Sequence, residues 1–108
     1  MFDALEASLA VMDHLAPIER KLRLSRKSLA DQVGRAAESI ALNLAEGRQR
    51  AGLDRVDLYR RAAGSAAELT VALRIARSRG YITPADYDAV DADLDRVRAM
   101  AWQLTHTR

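Results

Sequence analysis

The sequence predicts an all-α protein: an up-down antiparallel four-helix bundle, with residues 1–108 forming a single domain. Three observations carry that expectation. Apolar residues recur at spacings of three and four along four long segments, and no stretch alternates as a strand does. Ala and Leu are abundant while prolines number two and glycines five, a composition that favours helix. The segments between the periodic stretches are short, so consecutive helices must turn back on each other.

The first helix is expected from about Phe2 to Leu15, on the stripe Leu5, Leu9 and Met12. Pro17 should kink it or start a new turn, and Ile18 and Leu22 could continue an apolar stripe for a turn or two. The basic run RKLRLSRKS, residues 20–28, then reads as the connection. The second helix is expected from Ser28 to Ala45, with Leu29, Val33, Ala36, Ile40 and Leu44 on one face. Ser28 reads as its N-cap with Asp31 in a capping box, and Gly47 as its C-cap, where a positive φ costs glycine little. The third helix spans about Asp54 to Arg79 and ends at Gly80. The fourth opens with Thr83 as cap, Pro84 at the first position and Asp86 to complete a box. Its stripe is Tyr87, Val90, Leu94, Val97, Ala101 and Leu104. Helices two and three are rich in Ala, Gly and Ser, which predicts that their backbones approach closely.

Composition narrows the function. The chain has no cysteine, so disulfides and thiolate metal sites are excluded. The N-terminus carries acids and no base, unlike a secretory leader. No apolar run approaches the roughly 18 residues of a membrane span, so the expected setting is cytoplasmic, with no membrane partner. Net charge is only +2, but its layout is uneven. Residues 1–19 hold four acids and no base, whereas residues 20–61 hold eleven bases against five acids. Fifteen of the seventeen bases are arginine, whose donor fork suits phosphates and carboxylates.

The segment SIALNLAEG, residues 39–47, resembles the S-I-P-x-N-I-A-E-G signature of a bacterial four-helix-bundle family. That family is known from open reading frames in intervening sequences of 23S ribosomal RNA genes. Leu29, Gln32, Arg35 and Ala36 match its upstream segment; Gly64, Ser65, Glu68, Leu69, Ala76, Gly80, Tyr81 and Ile82 match its downstream one. The motif proline is Ala41 here and the next residue is Leu42, so the kink typical of the family should be weaker. The resemblance implies a four-helix bundle that assembles as a homo-oligomeric ring, a pentamer. The accessory variability protein of diversity-generating retroelements is similar; it works with a reverse transcriptase and binds nucleic acid. The resemblance thus implies RNA or DNA, or a reverse transcriptase, as partner, and no enzymatic activity.

Asn43 borders the buried stripe of helix two, and a buried amide needs partners. Asn43, Glu46, Ser65 and Glu68 are expected to form a polar cluster that fixes the register of helices two and three. A ligand or metal site is the alternative. However, bundle di-metal sites use Glu-x-x-His, and neither His14 nor His106 follows a glutamate at that spacing. His14 reads as a surface or cap residue and His106 as part of a frayed tail. Nucleotide-binding and nucleophile-elbow motifs are absent. No catalytic residue, metal or cofactor is expected.

The candidate nucleic-acid-binding residues are Arg20, Lys21, Arg23, Arg26, Lys27, Arg48, Arg50, Arg55, Arg60 and Arg61. Pairs from Glu19 to Arg23, Asp31 to Arg35 and Asp57 to Arg61 have favourable spacing, but at a few tenths of a kcal/mol each they leave the excess unexplained. The bland reading is a solvated basic surface. Leu58, Val71, Ile75 and Trp102 fall off the main stripes, either at an oligomer interface or inside a wide core. The function expected is a non-catalytic, homo-oligomeric bundle that binds nucleic acid or a nucleoprotein. The alternative is a protein-interaction scaffold with no nucleic-acid role.

Overall fold

A computed structural model describes residues 2–106. Among them the chain forms α1 (Asp3–Ser25), α2 (Lys27–Arg48), α3 (Gly52–Ser78) and α4 (Pro84–His106), and no strand. α1 packs on α2, α2 on α3, α3 on α4, and α4 back on α1; the α2–α3 contact is the most extensive. The molecule measures 43 × 22 × 21 Å. At about 1.5 Å per residue each helix runs most of the long axis, which makes this the expected four-helix bundle. No helix among the described residues is long and apolar enough to cross a membrane.

The stripes of α2, α3 and α4 meet along the axis, but α1 turns Ala4, Ala7, Val11, Leu15, Ile18 and Leu22 to it in place of the expected Leu5, Leu9 and Met12, because that face continues unbroken past Pro17 and leaves Leu9 42% exposed. Leu15, Leu22, Ile40, Leu44, Leu69, Leu73 and Leu94 are essentially inaccessible. Ala36, Ala37, Ala62 and Ala66 are also buried and bring α2 and α3 close together. α2 and α3 also meet closely at Gly47. A Cβ built there would fall 2.7 Å from Tyr59 Cε1 and 3.3 Å from Leu58 Cβ. Gly47 is therefore a packing glycine inside α2, not the expected left-handed C-cap. Positive φ occurs instead at Gly52 (61°) and Gly80 (76°).

Three other local expectations are corrected. α1 continues through Pro17 to Ser25, because Ile18 and Leu22 extend its buried stripe past the proline. Pro17 lies on the exposed side, where water can reach the Asp13 carbonyl that loses its partner. The basic run is accordingly helical, and only Arg26 (φ −151°, ψ 88°) separates α1 from α2. Ser28 is not a cap and its box does not form; Asp31 instead takes Arg23 at 2.8 Å. Leu58 is buried by α2, so it does not belong to the exposed apolar surface.

The last two boundaries fall as expected. At the end of α3 the Tyr81 N–H donates to the Ala76 carbonyl (2.9 Å) and the Gly80 N–H to that of Arg77 (3.1 Å), a Schellman motif around the positive-φ glycine. At the start of α4 the Thr83 N–H donates to Asp86 Oδ2 (2.9 Å) and the Asp86 N–H to Thr83 Oγ1 (3.0 Å), closing the capping box. α4 extends through His106, whose ring stacks on Trp102 with centroids 4.2 Å apart.

Candidate nucleic-acid interface

The antiparallel fold divides the ten candidate bases between two opposite ends. The α1–α2 joint and the α3–α4 connection share one end, tied by Lys21 Nζ to Asp86 Oδ2 at 2.7 Å. The α2–α3 link and the start of α1 share the other, where Arg48 lies 5.3 Å from the Phe2 ring centroid. Arg20, Lys21, Arg23, Arg26 and Lys27 are therefore far from Arg48, Arg50, Arg55, Arg60 and Arg61.

The two ends differ in how their charges are used. At the α2–α3 end, Arg55 donates to the Gly47 and Arg48 carbonyls, each at 3.2 Å, and so caps the C-terminus of α2. Arg50 pairs with Glu46 at 3.2 Å and Arg61 with Asp57 at 3.3 Å. Arg48 and Arg60 there are exposed with guanidiniums in no ion pair or hydrogen bond among the described residues, Arg48 lying over the Phe2 ring. At the opposite end, Lys21 and Arg23 are paired, but Arg20, Arg26 and Lys27 are exposed and in no ion pair among the described residues. α3 adds two arginines, expected from the sequence only as cations favouring the helix dipole in its last turn and not among the binding residues. Arg77 stacks 4.2 Å over the Tyr87 ring, and Arg79 is exposed beyond the last turn. The signal for them was available: Gly80 ends α3, and an up-down topology places that end beside the α1–α2 joint.

Carboxylates near this end feel the arginines. The hydrogen bond from Arg23 is the main cause that holds the Asp31 carboxyl below the usual range. The hydrogen bond from Lys21, then that from the Thr83 backbone, does the same to Asp86. Glu19 is shifted the other way, by partial burial first and Glu38 second. Its carboxylate lies across bare backbone at Gly34, where a Cβ would come within 2.5 Å of Oε1. Glu19 therefore does not make the expected pair with Arg23, which goes to Asp31.

The expected polar cluster forms only in part. Asn43 Nδ2 donates to the Ser39 carbonyl at 2.8 Å and to Ser39 Oγ at 3.0 Å, both within α2. The link between helices is Ser39 Oγ to Ser65 Oγ at 2.7 Å. Glu46 is engaged by Arg50, and Glu68 is exposed on α3 without a contact to Asn43. Ser39 was the missed member; it lies four residues before Asn43 on the same side. A second polar junction, also unforeseen, joins α3 and α4. Arg98 donates to Thr70 Oγ1 (2.8 Å), Asp91 (3.0 Å) and Asp95 (3.3 Å). Partial burial alone would lower the Arg98 pKa, but the Asp91 and Asp95 bonds outweigh it and raise it. His14 pairs with Asp93, fastening α1 to α4. Among the described residues, no three His, Cys, Asp or Glu side chains gather as metal ligands would.

Val71, Ile75 and Trp102 are exposed, at 55%, 43% and 60%. The matching family model, described as 23S rRNA-intervening sequence protein, covers residues 3–103. The chain belongs to this family. Its match takes in all four helices, including α1 and α4, where the sequence motifs were silent. A crystal structure of a protein of unknown function from the S23 ribosomal protein family of Bacteroides thetaiotaomicron has the same fold. The two are 20% identical with a TM-score of 0.88, over 96% of this chain and 99% of the other. No curated protein matches the chain.

Proposed function

We propose that this member of the 23S rRNA-intervening sequence family is a non-catalytic, homo-oligomeric bundle that binds the phosphate backbone of nucleic acid through the α1–α2/α3–α4 end. The observation that supports this reading most is the convergence of Arg20, Arg26, Lys27 and Arg79, exposed and in no ion pair among the described residues, on one end of the bundle. Arginine and lysine held on rigid helix termini offer donors to phosphate without first breaking an internal pair. Repeating the end around an oligomer would multiply contacts that are weak singly. RNA, DNA, or a nucleoprotein such as a reverse transcriptase with its template presents the same chemistry.

The test is binding of single- and double-stranded oligonucleotides over a salt series. Affinity should fall linearly with salt on logarithmic axes. The triple variant Arg20→Glu/Arg26→Glu/Lys27→Glu should abolish binding, while Arg50→Glu/Arg61→Glu should leave it nearly intact. Salt-independent binding, or equal loss from the two variants, would defeat the reading. A protein-interaction scaffold is the second reading, favoured by the exposure of Val71, Ile75 and Trp102; it expects no oligonucleotide binding at low salt.

A further inference from the structure

Two shallow hollows adjoin along the outer face of α3, and Val71 and Ile75 line both. They differ in the polar groups around that aliphatic floor. The first, of about 530 Å³, is lined by Arg74, Arg77 and Arg79 and by no carboxylate. The second, of about 430 Å³, is lined by Glu68 and, from α2, by Gln32. Glu68, Ala72, Ile75 and Arg79 follow one another at i, i+4, i+7 and i+11, so they share one line along the helix. About 16 Å of helix rise separates the two ends of that line. Gln32, Glu68, Arg74 and Arg79 are exposed, and their side chains make no ion pair or hydrogen bond among the described residues.

A ligand that spans both hollows must be anionic at the arginine end. At the Glu68 end it must offer donors rather than a second anion. Between the two it must lay an apolar face on Val71 and Ile75. An acidic peptide would set a carboxylate against Glu68, and a basic one a cation against the arginines. A nucleotide meets all three demands, since a phosphate suits the guanidiniums and a base presents a flat face and a polar edge. Among the bases, guanine has two adjacent donors, N1–H and N2–H2, on its Watson–Crick edge, and the two oxygens of one carboxylate accept both. Adenine, cytosine and uracil each set an acceptor beside the donor on that edge. We infer that the outer face of α3 holds an unpaired guanine of a single strand. The base lies over Val71 and Ile75, Glu68 accepts from N1–H and N2–H2, the Gln32 amide donates to O6, and Arg74 and Arg79 take the flanking phosphates. Arg79 also belongs to the basic end of the bundle, so the strand leaves the hollow toward that end. A duplex does not fit this scheme, because its Watson–Crick edges are already paired.

The inference rests on the proposed nucleic-acid reading and adds base selectivity to it. Fluorescence anisotropy at low salt compares short uracil strands that carry a central guanine, inosine or adenine. The guanine strand should bind roughly tenfold more tightly than the adenine strand. Inosine, which lacks the N2 amine, should fall between them. Glu68→Gln, at an exposed position where helicity by circular dichroism should be unchanged, should remove the preference without weakening the adenine strand. Annealing the guanine strand to its complement should also remove it. Equal wild-type affinity for the guanine and adenine strands, or a preference that survives Glu68→Gln or annealing, would overturn the base site. Phosphate binding would then still stand, and the hollows would be left to a protein partner. A wild type that binds no strand at low salt would overturn both.

Discussion

At Gly47 the absence of one methyl group decides how close two helices come. Alanine is the better helix former by about 1 kcal/mol, yet its Cβ would press into the Tyr59 ring, which is buried and packs near Phe2. Gly47→Ala should therefore destabilise by about 1–3 kcal/mol. Gly64→Ala, which meets nothing within 4 Å, should stabilise by up to about 1 kcal/mol. Urea unfolding of the pair measures both signs. Glu19 supplies the matching electrostatic case. Its folded pKa is raised, so the fold favours its protonated form. That contribution is full below the unfolded pKa and disappears as pH climbs through the folded one. Glu19→Gln should then be more stable than the wild type at neutral pH, with the gap closing below about pH 4. Neither feature was legible in the sequence. A glycine at the end of a periodic stretch looks like a cap until Tyr59 is seen across from it, and an acid four residues before an arginine looks like its partner until Asp31 competes.

The boundary between α3 and α4, marked on both its sides, was read correctly, and that between α1 and α2 was not. α4 begins at a Thr-Pro-x-Asp box and α3 ends at a Schellman glycine; both bonding patterns follow from residue type alone. At the junction of α1 and α2 the apparent mark, Ser28 with Asp31, does not form. A proline and a dense run of charge argued locally for a break, but burial of Ile18 and Leu22 on the far side of Pro17 prevailed. Tertiary packing overrode local preference there. The capping box should be worth about 1 kcal/mol, so Thr83→Ala should lower the unfolding free energy by that amount. Asp86→Asn removes the carboxylate charge that pairs with Lys21. Because the folded pKa of Asp86 is depressed, its stabilisation is present above the unfolded value and fades as pH falls through the folded one. The variant should thus differ least from the wild type in acid, as thermal melts across pH 3 to 7, a range of about four units around the carboxylate pKa, will show. Between α2 and α3, Ser39→Ala should cost about 0.5–1.5 kcal/mol through the Ser65 bond, and more than Asn43→Leu, whose bonds stay within one helix.

For the molecule as a whole, the sequence made the charge excess visible but not its distribution. Ten bases read as one surface separate into two ends of a bundle 43 Å long, and one end spends three of its five guanidiniums on carbonyls and carboxylates of its own. The other end gains Arg77 and Arg79 from a segment far away in sequence. Only the antiparallel topology brings those groups together. The order of contacts around the bundle also bears on how the chain reaches this state. Three of the four interfaces join helices that follow one another, and only α1–α4 closes across the whole chain. Short closures cost less conformational entropy than long ones, so the alanine-lined hairpin of α2 and α3 should nucleate and the α1–α4 seam should knit last. Refolding should be fast, in the range of roughly microseconds to milliseconds seen for helical bundles. Ala62→Gly should slow that step, whereas loss of the Lys21–Asp86 or His14–Asp93 clasp should act almost wholly by hastening the escape from the native state.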